Sequence, residues 1–138
     1  KLIINADDFG IHKDINRGII DCVEHKTINS ISVSSNGRAV DWRLLQQLQS
    51  EHVHIGMHFT IVGEPWLTGN HYFSSWKTLA SFLALSFGTV KHAILNELKA
   101  QYDLFKRQGI TLTHIDSHQH IHVLPFIWPL IREFQINN

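Results

Sequence analysis

The chain has 138 residues, with twelve basic and twelve acidic side chains that cancel and eleven histidines that stand out. That length suits one domain with a sizeable core, and the balanced charge leaves no electrostatic footprint for nucleic acid or an anionic membrane surface. No apolar run approaches the roughly 18 residues of a spanning helix, the start lacks a signal-peptide layout, and the lone Cys22 cannot form an internal disulfide, so a cytoplasmic protein is expected.

Residues 1–6 read as a short buried strand, because Leu2, Ile3 and Ile4 run together as in a parallel sheet covered on both faces. Asp7-Asp8-Phe9-Gly10 breaks it. Residues 14–25 carry Ile15, Ile19, Cys22 and Val23 at helical spacing, with Arg17, Asp21 and Glu24 opposite, so an amphipathic helix with Cys22 in its apolar stripe is expected. Residues 30–34 are short and β-prone, and residues 41–49 are helical through Trp42, Leu44, Leu45 and Leu48. Residues 52–60 alternate as a third strand, with His52, His54, Gly56, His58 and Thr60 on one side.

The loop over residues 63–72 is rich in Gly, Pro, Trp and Asn, the composition of a binding loop or lid. Trp66 in it can stack on a ligand ring or fill the core. Residues 75–87 read as one helix and residues 89–108 as a second, in which Val90, Ile94, Leu98, Tyr102 and Phe105 form the stripe, Thr89 caps and Gly109 ends it. A strand follows from Leu112, and Pro125 opens a last helix whose first turn Pro129 strains. Strand and helix alternate throughout, which argues for an α/β fold with parallel strands and right-handed crossovers, as an open sheet or a barrel.

His114-Ile115-Asp116-Ser117-His118-Gln119-His120-Ile121-His122 holds four of the histidines. If extended, it places Asp116, His118, His120 and His122 on one face. Same-face Cα atoms lie roughly 6.6 Å apart, whereas metal–nitrogen bonds are about 2.0–2.1 Å, so one ion takes only one or two of these side chains. A solvated histidine tract is the plain alternative, but Ile110, Leu112, Ile115, Val123 and Leu124 flank the segment as in a buried strand.

In parallel α/β folds, sites form at the carboxyl ends of strands. Asp7, Asp8, His58 and the histidine tract are all expected there. Taken singly, adjacent aspartates are often a turn or a helix cap, and a lone histidine is often a hydrogen-bonded core residue. Together they suggest a metal held by two imidazoles and one carboxylate, which keeps open positions, lowers the pKa of water and polarises a carbonyl, while the second aspartate acts as general base. Gly10 permits the backbone turn that brings both carboxylates to one site. The same donor set also describes oxygen-activating iron centres.

Asn5-Ala6-Asp7-Asp8-Phe9-Gly10, Ile55-Gly56-Met57-His58-Phe59-Thr60 and the histidine tract together resemble the YdjC-like carbohydrate deacetylases, the family of chitooligosaccharide (chitin disaccharide) deacetylase. Asn36-Gly37 and Gly63-Glu64-Pro65 add to the likeness, which spans essentially the whole chain. The resemblance implies a distorted (β/α) barrel that removes acetyl groups from N-acetylated oligosaccharides with a divalent metal, usually assigned as Mg2+. By position, Asp8, His58 and His118 match the metal ligands and Asp7 the base; Asp116, His120 and His122 line the cleft or support the ligands, with Trp66 a further candidate for substrate contact. Two neutral imidazoles also suit Zn2+ or another transition metal.

A full barrel of this kind runs to about 250 residues, so the chain is expected to form the N-terminal part of a single, longer domain, with a general acid beyond it. A half-barrel exposes a sheet edge, and self-association or a homodimer is expected from it. Two alternatives accompany the deacetylase reading: a metal-dependent phosphoesterase, and a truncated chain that binds metal or sugar without turnover.

Overall fold

In a computed structural model of the protein, the described residues are 2–69 and 71–137, with the side chains of residues 86, 87, 89, 136 and 137 outside the description. Strands β1 (Asn5–Phe9), β2 (Ser30–Val33), β3 (His54–Phe59) and β4 (Ile115–Ser117) pair in that spatial order, all parallel. Helices α1 (Lys13–Glu24), α2 (Trp42–Ser50), α3 (Trp76–Arg107) and α4 (Trp128–Asn137) alternate with them. This is the expected α/β alternation, in an open parallel sheet compatible with part of a barrel.

The register explains how the sheet divides its chemistry. Asn5, Ser30 and His54 lie side by side, as do Ser32 and Gly56, then His58 and Asp116. Between them run the apolar rows of Ala6, Ile31 and Ile55, and of Val33, Met57 and Ile115. Because strand side chains alternate, the sheet has one polar and one apolar face. The apolar face packs under the helices: Phe9, Ile31, Ile55, Met57 and Phe59 join Leu45, Ile94, Leu98 and Phe105 in a fully buried core.

Several expectations are corrected. Leu2, Ile3 and Ile4 are exposed by 74, 60 and 45 % rather than buried. They precede the pairing, which starts at Asn5 on an edge strand, so β1 runs through the aspartates instead of ending before them. Cys22 is exposed as well. The amide of Asn16 turns α1 from the expected phase by accepting from Gly10 N at 2.7 Å and donating to Ala39 O at 2.7 Å, so Ile19, Ile20 and Val23 face inward. Strand β3 begins at His54, two residues later than expected, after His52 takes a positive φ of 70°.

The two helices expected over residues 75–87 and 89–108 are one. Ser75 caps it reciprocally with Thr78, and the buried stripe of Leu79, Leu83, Val90, Ile94, Leu98 and Phe105 continues in phase past Gly88. That burial outweighs the roughly 1 kcal/mol a mid-helix glycine costs. Position 89 is therefore mid-helix; the side chain of Thr89, expected as a cap, lies outside the described residues. Gly109 ends the helix at φ 68°, as expected. Helix α4 starts at Trp128, which puts Pro129 in the first turn, where its missing N–H costs nothing.

The largest correction concerns the histidine tract. After three residues of β4 it folds into a kinked 3-10 segment over His118–Val123, interrupted by Gln119 and His120, which take left-handed backbone at φ 52° and 53°. Ser117 stabilises the turn: its Oγ accepts from His122 N at 3.0 Å and sits 2.6 Å from His122 Nδ1. The one-sided column of Asp116, His118, His120 and His122 does not form.

Candidate active site

Strand β1 supplies two carboxylates through an irregularity. Its register with β2 shifts between Ala6 and Phe9, and Asp8 within that bulge has φ 70°. In a regular strand Asp7 and Asp8 would point to opposite faces; the bulge re-aims one, so both reach the imidazole of His58. Left-handed backbone at a non-glycine residue is strained, and aspartate is among the residues that tolerate it best. Sequence reading had given this turning role to Gly10. Gly10 does have φ 100°, and a Cβ there would meet Val40 Cγ2 at 2.6 Å, but it follows the carboxylates and serves the turn into α1.

His58, on β3, is 4 % exposed at its side chain and stands between two carboxylates. Its Nε2 is 3.0 Å from Asp8 Oδ1, and its Nδ1 is 2.7 Å from Asp116 Oδ1. His118, the first residue of the 3-10 turn, brings Nδ1 to 2.7 Å from the same Asp8 oxygen. Asp8, His58 and His118 thus converge with one donor atom each within 4.8 Å of one another, and Asp7, His58 and Asp116 do the same. Both sets share His58. Asp116 engages Nδ1, which leaves Nε2 on the side of Asp8 and His118, so the first set offers an ion the better-prepared donors.

The electrostatics agree. Burial works against a charge on His58, yet the hydrogen bond and charge of Asp116, with the charges of Asp8 and Asp7, outweigh it and raise its pKa above the usual 6.5. For Asp116 burial again opposes ionisation, but hydrogen bonds from His58 and Ser32 and the imidazole charge hold its carboxyl below the usual range. An ionised carboxylate behind an imidazole is the usual support of a metal-binding histidine.

Around this pair lies a network that sequence reading missed. Ser32 Oγ donates to Asp116 Oδ2 at 2.7 Å, and Asn5 Nδ2 donates both to Ser32 Oγ at 2.8 Å and to Asp7 Oδ1 at 2.7 Å. His114 Nε2 stands 3.0 Å from Ser32 Oγ. The available signal was the polar alternation of Asn5 and Asp7, Ser30 and Ser32, and His114 and Asp116; only register shows that they meet. A second missed group anchors the loop beside the site. Glu97, fully buried on α3, accepts from Leu67 N and Thr68 N at 2.9 Å each, from Thr68 Oγ1 at 3.0 Å and from Gln101 Nε2 at 2.7 Å. Gln101 in turn holds both the N–H and the carbonyl of Thr60, two residues beyond His58.

Other expected site residues lie apart. Trp66 is buried in the core, 3 % exposed, its indole N–H donating to Ile61 O at 3.0 Å and its ring edge-on to His71. With its face packed inside, it presents no stacking surface. His120 is exposed and His122 half-buried; their rings contact each other edge-on, and neither joins the carboxylate–imidazole clusters among the described residues.

Comparison with known proteins places this geometry in context. A family model described as "YdjC-like protein" matches residues 1–136. A chitooligosaccharide deacetylase from Enterobacter sp. (strain 638) is 34 % identical over 144 residues, covering 96 % of this chain and 54 % of the relative. Among solved structures, a protein from Enterococcus faecalis V583 whose proposed role is cellobiose-phosphate cleavage superposes with a TM-score of 0.76 at 20 % identity, over 98 % of this chain and 55 % of that one. The chain spans about half the length of the relatives it matches.

Proposed function

From the membership of this chain in the YdjC-like protein family, we propose that it carries the metal-binding and base-bearing part of a hydrolase that removes acetyl groups from N-acetylated sugars. The observation that supports this reading most is the convergence of Asp8, His58 and His118, with Asp7 reaching the same imidazole from the next position. Two imidazole nitrogens and one carboxylate oxygen, with a supporting carboxylate behind one imidazole, form a donor set that suits a divalent ion with open positions.

Asp8, His58 and His118 would hold the ion, which when bound lowers the pKa of water and polarises the acetamide carbonyl. Asp7 accepts the proton of the attacking water. It is the exposed member of the aspartate pair, and Asn5 Nδ2 fixes one of its oxygens from below at 2.7 Å. Asp116 keeps His58 oriented through Nδ1. The imidazole donors favour Zn2+ or another transition metal, and family resemblance favours Mg2+. A phosphoester substrate would call for a basic pocket, and of the three cations near the rim, Lys13, Arg17 and Arg38, two already face carboxylates: Arg38 faces Glu64 at 4.0 Å and Arg17 pairs with Asp14.

The test is acetate release from N,N′-diacetylchitobiose by metal-reconstituted protein, in this chain and in one extended to the length of its relatives. Release is expected from the extended chain and is expected to fall about 100- to 10,000-fold in Asp7→Asn, the usual contribution of a positioned base. An extended chain that binds metal but frees no acetate from any N-acetyl sugar would overturn the assignment.

A further inference from the structure

The polar network under the site has a direction, which follows from counting protons. A serine hydroxyl donates once and accepts twice. Around Ser32 Oγ stand the Asp116 carboxylate at 2.7 Å, which only accepts, the Asn5 amide nitrogen at 2.8 Å, which only donates, and His114 Nε2 at 3.0 Å. Ser32 gives its proton to Asp116, so the His114 contact is a hydrogen bond only if Nε2 carries the proton. Burial, only partly offset by Asp116 and Asp7, lowers the pKa of His114 below the usual 6.5, which keeps the ring neutral. The Thr113 hydroxyl stands 2.9 Å from Nδ1 and 3.1 Å from Ile55 O; that carbonyl also accepts from Thr113 N at 2.8 Å, so it keeps a donor when the single hydroxyl proton turns to Nδ1 of this tautomer.

The ring is also held in place from outside. A Cβ at Gly56 would fall 2.1 to 2.4 Å from three atoms of the His114 ring. Only glycine at position 56 admits the imidazole over β3.

We propose that Ser32 and His114 are positioning residues for His58: His114 donates to Ser32, Ser32 donates to Asp116, and Asp116, 2.7 Å from Nδ1 against 3.0 Å from Nε2 to the competing Asp8 Oδ1, thereby holds His58 as the Nδ1–H tautomer with Nε2 presented to the Asp8–His118 side. The inference deepens the metal-site reading and rests on it for its purpose, but the tautomer of His58 is a property of the metal-free chain. Asn5, which bonds both Ser32 and Asp7, ties the proposed base to the same hub.

The test has two readouts on Ser32→Ala, His114→Phe, His114→Gln and Gly56→Ala, each checked for folding by circular dichroism. Long-range proton–nitrogen spectra of the metal-free protein, at a pH high enough to make His58 neutral, read its tautomer. Titration with Co2+ followed by visible absorption reads affinity and ligand geometry. Wild type is expected to show His58 as Nδ1–H. In Ser32→Ala and His114→Phe that signature should give way to mixed tautomers, with Co2+ affinity falling about 10- to 100-fold, the usual effect of removing support from a metal-binding histidine. Gly56→Ala, which expels the ring without touching the hub, should follow His114→Phe, whereas His114→Gln, which keeps an N–H donor, should restore the tautomer and most of the affinity. Folded Ser32→Ala and His114→Phe proteins with an unchanged His58 tautomer and unchanged Co2+ affinity would overturn the proposal. A wild-type chain that binds no Co2+ counts against the metal reading instead, and the tautomer still decides the hub.

Discussion

His58 and Asp116 show how one contact sets the behaviour of a site. The shift in His58 is upward, so its contribution to stability is complete below the usual 6.5 and is lost as pH rises through the higher folded value. The shift in Asp116 is downward, so its contribution is present above the usual 3.8 and is lost as pH falls through the lower folded value. Thermal melts of the metal-free protein should therefore show the pair contributing most between about 3.8 and 6.5. Asp116→Asn should cost most within that window and less at high pH, where His58 is neutral and only the hydrogen bonds of Asp116 with His58 and Ser32 remain to be lost; an unchanged pH profile in the variant would contradict the pairing. The residues of this contact were legible in sequence as chemistry, since Asp116 and His58 both stood out. Their partnership was not, because it depends on β3 and β4 pairing with His58 opposite Asp116.

At the scale of elements, the order of strands and helices could be read from hydrophobic spacing, and three details could not. The bulge in β1 leaves no mark in Asn5-Ala6-Asp7-Asp8-Phe9, because a left-handed aspartate looks like any other. The 3-10 turn after β4 was masked by the alternation of His118, His120 and His122, which mimics a strand. The continuity of α3 was masked by Gly88, whose local cost is overridden by tertiary burial on both sides. That long helix also explains how the loop over residues 63–72 is fixed, since Glu97 receives four hydrogen bonds, two of them from loop backbone. Glu97→Ala removes these four bonds and leaves a void at a fully buried position, and should cost about 3 kcal/mol in urea unfolding, whereas Glu97→Gln, which keeps one acceptor, should cost less. Equal stability of Glu97→Ala and wild type would show that the loop does not depend on this anchor.

Over the whole molecule, the division of the sheet into an apolar face under helices and a polar face carrying Asn5, Ser32, His58, His114 and Asp116 is what gathers the site at the carboxyl rim. No helix among the described residues is long and apolar enough to cross a membrane. Two adjacent aspartates, brought to one imidazole by the bulge at Asp8, are proposed to do different work: Asp8 holds the ion and Asp7 takes the proton. The most direct test measures bound metal and acetate release together on Asp7→Asn and Asp8→Asn in the chain extended to the length of its relatives. Asp7→Asn is expected to keep its metal and lose turnover, while Asp8→Asn, whose side chain still tolerates the left-handed backbone, is expected to stay folded and lose both. Loss of metal in Asp7→Asn with retention in Asp8→Asn, or full turnover in either, would contradict it.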